Sequence, residues 1–243
     1  MKMLSKQTFA KLVVGFLGIL LIGWLLYQDG SVRATVVGFV GKLGKPAVPY
    51  LRSALNDENS HVRGKADHAL RLIGEDAVPS LTESLNSTNP QERFEAARAM
   101  VIVGKNAKSA LPTLIQTFKS DPDNKTRALV VRVFGHLGAE AEDAIPVLLP
   151  ALKDSDAAIR ANAAEALSII ALHGDVERIV AALIDSLKDD VANVRQEAAE
   201  GLGRIGPRAG AAVDALTKAL QDPNARVKRE AAEALEQVRG KKE

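Results

Sequence analysis

No cysteine occurs among the 243 residues, which removes disulfides, thiolate nucleophiles and cysteine-bound zinc together. Aromatic residues make up only 4% of the chain, whereas hydrophobic residues reach 47% and are mostly Ala, Leu and Val. That balance disfavours a β-sandwich or barrel and favours closely packed helices. Catalytic signatures are missing as well. There is no H-E-x-x-H, G-x-S-x-G, Walker or G-x-G-x-x-G context, and Gly201-Leu202-Gly203 falls inside a helical pattern rather than after a strand. The four histidines, His61, His68, His136 and His173, are too scattered for a metal site by local spacing. No enzyme activity, cofactor, metal or small-molecule substrate is therefore expected.

An excess of one charge is also lacking where it would matter. The net charge of +2 and pI near 8.8 look basic, yet residues 1–27 hold Lys2, Lys6 and Lys11 and no acid. Removing those three from the 32 basic residues leaves 29 against 30 acidic ones, so the body is close to neutral. A neutral body whose only tryptophan, Trp24, lies in the N-terminal run lacks the field and stacking groups that nucleic acid requires. Nucleic-acid binding along the arginines thus stands only as a second alternative.

What is present begins with a long apolar run. From Leu12 to Tyr27, LVVGFLGILLIGWLLY is 16 residues without a charge, preceded by the three lysines. At about 1.5 Å per residue it reaches roughly 24 Å, which Phe9, Ala10 and a snorkelling Lys11 extend toward the ~30 Å of a hydrocarbon core. Trp24 and Tyr27 then stand at the far interface. The expectation is a single-pass transmembrane signal anchor over 12–27, behind a basic N-terminus at 1–11 that stays cytoplasmic while the body lies outside. The alternative is a cleaved signal and a secreted or periplasmic product, although the nearest tolerable site, Val32-Arg33-Ala34, cuts into repeat sequence.

The body is periodic. An apolar pair, often Pro, any residue, Leu and a second Leu four later recur in AVPYLRSAL ending at Leu55, AVPSLTESL at Leu85, ALPTLIQTF at Phe118, AIPVLLPAL at Leu152, IVAALIDSL at Leu187 and AVDALTKAL at Leu220. Pro49, Pro79, Pro112 and Pro146 suit a first helical turn. Eight residues after each end position, nine in the third copy, a base opens a second pattern at Arg63, Arg93, Arg127, Arg160, Arg195 and Lys228. Eleven further on stand Gly74, Gly104, Gly138, Ala171, Gly206 and Arg239. Apolar positions at base −1, +3, +6, +7 and +10, as in Val62, Ala66, Ala69, Leu70 and Ile73, make a helical stripe. Each unit is read as two antiparallel helices, A then B, which bury their stripes only by stacking. The units are 45–74, 75–104, 105–138, 139–171, 172–206 and 207–240. Ala171 in the glycine slot predicts an irregular junction, and Pro150 predicts a bend in the fourth helix A.

A half repeat at 28–44 precedes them. Val32, Val36, Phe39, Val40 and Leu43 keep the B stripe around Arg33, and Gly44 stands eleven residues after it. Counting back eight from Arg33 reaches Leu25, so the apolar run takes the place of the missing helix A and joins the repeats in phase.

LKDSDAAIRANAAEAL and LKDDVANVRQEAAEGLGRIG carry the motif that resembles the short HEAT-like repeats named after phycobilisome lyases, over about residues 33–238. The Trp, Gly and Tyr markers of tetratricopeptide repeats and the ankyrin T-P-L-H signal are absent. The resemblance implies an all-α solenoid, a right-handed superhelix of helix pairs. It implies also that an Asp two after the end-leucine pairs with the base of the next helix, as a structural ladder of Asp57, Asp154, Asp189 and Asp222 with Arg63, Arg93, Arg127, Arg160, Arg195 and Lys228. Ser87 departs from that slot, the third unit shifts it to Asp121, and Glu92 takes an apolar stripe position. The family name brings one alternative function, an accessory lyase-like or regulatory role on a chromophore-bearing protein.

Positions the core does not need point to a protein partner instead. The +5 row of the B helices faces away from the stripe and reads His68, Arg98, Arg132, then Glu165, Glu200, Glu233, changing sign midway. Phe94, Val101, Ile102 and Leu129 put apolar residues at neighbouring outward positions, rimmed by Arg98 and Arg132. The leading expectation is a membrane-tethered scaffold that binds another protein through this B-helix surface.

Overall fold

The computed structural model describes residues 29–171 and 176–240. Residues 1–11, the apolar run 12–27 with Trp24 and Tyr27, and His173 lie outside them. Among the described residues every regular element is helical, and no helix is long and apolar enough to cross a membrane. The chain divides into two compact units, one up to Ile73 and one from Gly74.

In the first unit α1 (Gly30–Gly41), α2 (Val48–Ala54) and α3 (Ser60–Ile73) pack on one another. Asp29 starts α1 by accepting the Ser31 N–H at 2.7 Å, and Asn59 does the same for the His61 N–H of α3 at 2.8 Å. Ala34 and Val37 turn α1 onto α3, and Gly41 lets the two backbones approach, since a Cβ there would lie 2.6 Å from Ala69 Cβ. The stripe expected on α1 is not covered. Phe39 is 68% exposed, Leu43 58% and Val36 37%, while Val32 and Val40 are half-buried. The equivalent Val62, Ala66, Ala69 and Leu70 of α3 are buried. Ala69, the counterpart of Phe39, is covered by the preceding B helix, where it faces Gly41 of α1.

The second unit alternates short A helices with longer B helices. The A helices are α4 (Val78–Leu85), α6 (Leu111–Ser120), α8 (Ile145–Ala151), α10 (Val176–Ser186) and α12 (Val213–Ala219). The B helices are α5 (Pro90–Val103), α7 (Asn124–Leu137), α9 (Ala157–Ile170), α11 (Ala192–Ile205) and α13 (Ala225–Arg239). Each A packs on the B that follows, and the B helices pack in succession, α5 on α7, α7 on α9, α9 on α11 and α11 on α13. The apolar residues of the B stripe are buried, as with Ile159, Ala163, Ala166, Leu167 and Ile170 of α9. Neither helix of a pair could hide that surface alone, so the pairs are stable only as a stack.

The spacing glycines close the B helices from the left-handed side of the map: Gly74, Gly104, Gly138 and Gly206 have φ between 57° and 67°, and each opens a 3₁₀ stretch leading to the next A helix. At the fourth junction Ala171 is right-handed, with φ −59°, and no 3₁₀ stretch is described there. Residues 172–175 of this junction lie outside the described residues. Pro150 is the penultimate residue of α8, so only Ala151 follows it within the helix.

Candidate protein-binding surface

The polar residues that repeat are absorbed in the loops. Arg33 pairs with Asp57 at 3.0 Å, Arg93 with Asp121 at 2.7 Å, Arg127 with Asp154 at 2.6 Å, Arg160 with Asp189 at 2.8 Å and Arg195 with Asp222 at 2.7 Å. The sequence reading joins each Asp to the base that follows it; the structure joins it to the arginine of the preceding B helix, and Arg63, Arg160 and Arg195 grip backbone instead. Arg63 Nη1 donates to the Asp57 and Glu58 carbonyls, and Arg195 Nη1 to those of Asp189 and Asp190. One carboxylate thereby ties two layers, since each Asp also accepts the N–H two residues on, as Asp189 does from Val191 at 2.9 Å. Lys228, expected to hold Asp222, is exposed on the last B helix, and Arg195 holds that carboxylate.

Two departures compensate each other. Ser87 accepts the Asn89 N–H at 3.1 Å in place of the missing Asp, and its hydroxyl donates to Glu92 at 2.7 Å, which settles a carboxylate in an otherwise apolar slot. In the third copy, with its longer spacing, the Arg127 guanidinium lies 5.6 Å from the Phe118 ring centroid. These charges are structural. Among the described residues no three His, Asp or Glu side chains gather to hold a metal ion.

The outward row of the B helices lies at the surface. His68 is exposed on α3 of the first unit; in the second, Arg132, Glu165 and Glu233 are exposed and Arg98 and Glu200 half-buried. Phe94 of α5, Leu129 and Arg132 of α7 and Asn162 of α9 line one shallow depression together with Lys125 and Ala128. Arg132 and Asn162 also line the adjoining depression, which Glu165, His136 and Ile169 complete. The sign change of the row therefore falls inside one continuous furrow across three helices. Asn162 is fixed there by donating to the Ala128 carbonyl at 3.1 Å. Val101 and Ile102 are half-buried and line neither depression.

The acidic half carries its own counter-charges. Arg204 pairs with Glu200 at 2.7 Å, and Arg229 reaches Glu233 at 3.7 Å and Glu230 at 2.6 Å. Sequence reasoning missed Glu197, which sits at base +2 on α11. Burial, then the Glu200 and Glu165 charges, push its carboxyl up to about 7, against a smaller opposing pull from Arg204. Asn162 occupies the same +2 place on α9, and this row was legible from the register once the +5 row had been drawn.

Three stretches of the chain, residues 21–101, 111–193 and 180–243, match the family model of HEAT repeats. No curated protein matches significantly. Among solved structures, an engineered protein is similar at 24% identity and TM-score 0.61, over 79% of this chain and 96% of that one. A designed armadillo repeat protein in complex with the peptide (KR)4 is similar at 19% identity and TM-score 0.56, over 79% of this chain and 99% of that one. The complex of CpcE and CpcF of phycocyanin lyase from Nostoc sp. PCC7120 is similar at 23% identity and TM-score 0.56, over 64% of this chain and 98% of that one. Stacked helix pairs, glycine-closed B helices and a sequence match across most of the length have one reading: the chain belongs to the HEAT-repeat family.

Proposed function

We propose that this chain is a protein-binding scaffold, attached to a membrane by its apolar residues 12–27, whose six repeats present the B-helix surface to a partner. The observation that carries the reading is the furrow where Phe94, Leu129, Arg132 and Asn162 meet, because an apolar centre with a charged rim on rigid helices is how binding energy is concentrated. The run of Arg98 and Arg132 against Glu165, Glu200 and Glu233 orients the partner by complementary potential. The likeness to a designed repeat protein that holds a (KR)4 peptide supports a peptide or protein ligand over a small molecule. An accessory role on a chromophore-bearing protein rests on fold likeness alone.

The test is capture from membranes with the intact chain, comparing the wild type with Phe94→Asp/Leu129→Asp. Both side chains are half-buried at the surface, so helical content by circular dichroism is expected to persist. The co-purifying protein is expected to be lost, since hot-spot changes cost about 2 kcal/mol or more each. Undiminished capture by the double variant would move the binding surface elsewhere.

A further inference from the structure

The charges around the furrow are not equivalent, because some are answered within the chain and others are not. Glu200 holds Arg204 at 2.7 Å, and Glu233 and Glu230 share Arg229. These carboxylates have their counter-charges already. Arg132 of α7 and Glu165 of α9 differ. Both line the depression of about 170 Å³ between these helices, yet among the described residues neither side chain makes a hydrogen bond or ion pair, with the other or with any third group. Both are exposed, at neighbouring places of the same outward row.

What the furrow offers therefore has an order. Phe94 and Leu129 give apolar surface on α5 and α7, in a depression of about 410 Å³ that also reaches Lys125 and Arg132. Arg132 then gives an unanswered positive charge, and Glu165 on the next helix an unanswered negative one. The negative side continues onto α11 at Glu197, which has no hydrogen bond or ion pair either, and where burial, then the Glu200 and Glu165 charges, push the carboxyl up. An added cation relieves that repulsion and an added anion deepens it. A wholly basic segment would set a cation against Arg132 and Lys125, and a wholly acidic one a carboxylate against Glu165 and Glu197. Like charges brought together in this way oppose binding.

We propose, building on the reading of the furrow as a partner surface, that its occupant is a peptide segment of another protein carrying an apolar, an acidic and a basic side chain in that order. The apolar group lies on Phe94 and Leu129, the acid on Arg132 and the base on Glu165. The order belongs to the stack of helices and not to chain direction, so a segment running either way satisfies it. Packed helices lie about 8–10 Å apart, so acid and base stand about three residues apart in an extended segment.

Selection of a random dodecapeptide library on the full-length chain in detergent tests this. The wild type is expected to enrich apolar–acid–base peptides, and Arg132→Glu/Glu165→Arg to enrich apolar–base–acid ones instead. Both side chains are exposed and make no internal bond, so the exchange is expected to leave circular dichroism and the denaturation midpoint unchanged. For the best wild-type peptide, Arg132→Glu alone is expected to weaken binding about tenfold, and replacing the peptide's acid by lysine to restore it. Uniformly basic or uniformly acidic peptides enriched by the wild type, or the same consensus on both proteins, would overturn the inference, as would no enrichment at all. Phe94→Asp/Leu129→Asp separates the two readings. Peptides that this variant loses but the charge exchange leaves alone keep the furrow as the binding surface and remove the order. Peptides that neither change affects place binding elsewhere on the chain and remove both.

Discussion

Gly203 and Glu197 share α11 and show what one residue decides in a stack of helices. A Cβ at Gly203 would lie 3.0 Å from the Ala234 Cα, a backbone atom that cannot step aside, and 2.3 Å from Gln237 Oε1, the end of a flexible side chain. The missing side chain is what lets α11 and α13 approach. Gly203→Val is accordingly expected to cost about 1–3 kcal/mol by overpacking, measured by urea denaturation. Glu197 is under the opposite constraint, a carboxylate among carboxylates: Glu165 comes from α9, Glu200 from its own helix and Glu230 from α13, with Arg204 as the nearby cation. Its carboxyl resonance is expected to titrate near 7, against an ordinary value of 4.5, in a side-chain NMR titration. A midpoint below 5 would mean that solvent reaches it freely.

At the scale of elements, the sequence yields the helices readily and the pairing between them poorly. Stripe spacing, prolines in the first turn and glycines after the last turn are local signals, and each repeated motif falls on a helix of the structure. The partner of each aspartate is not local. Counting along the chain brings Asp222 near Lys228, whereas stacking brings it to Arg195, 27 residues away, because a B helix starts beside the loop of the pair that follows it. The α1 stripe misleads for the same reason, since periodicity announces an apolar face but not what covers it. The furrow was half legible: Phe94, Leu129 and Arg132 stood out by position, while Asn162 and Lys125 join only when three helices are side by side. The ladder itself can be tested at this scale. Asp121 is buried where Arg93 meets it, and it also accepts the Asp123 N–H at 2.9 Å. Asp121→Ala leaves that arginine without its carboxylate and is expected to cost about 3 kcal/mol in chemical denaturation. A change under about 0.5 kcal/mol would mean that the backbone carbonyls Arg93 also holds suffice.

For the molecule as a whole, these groups are expected to set a stability optimum that is more acidic than neutral. Asp222 is held below its ordinary 3.8 by the Arg195 hydrogen bond; burial pushes Asp189 up, but Arg160 and the Val191 N–H together outweigh it and hold that carboxyl below 3.8 as well. Asp57 is lowered in the same manner, with burial again opposing Arg33 and the Asn59 N–H. A carboxyl whose folded value is depressed contributes stability above its unfolded value and loses it as pH falls through 3.8 toward the folded value. Glu197 works in reverse: with a folded value of about 7 above an unfolded 4.5, it binds a proton more tightly when folded, so stability rises as pH falls from 7 to 4.5. The two limbs meet at about pH 4.5–5, where Glu197 is protonated in the fold and the ladder aspartates are still charged. Denaturation midpoints across pH 3–9 are thus expected to peak there, with a loss of roughly 2 kcal/mol toward pH 8 after allowance for solvent screening. Glu197→Gln is expected to flatten the upper limb and leave the acid limb in place. If the wild type were already flat between pH 5 and 8, the three acidic neighbours would be too well screened to burden Glu197, and the crowding of charge on successive B helices would carry no energetic cost.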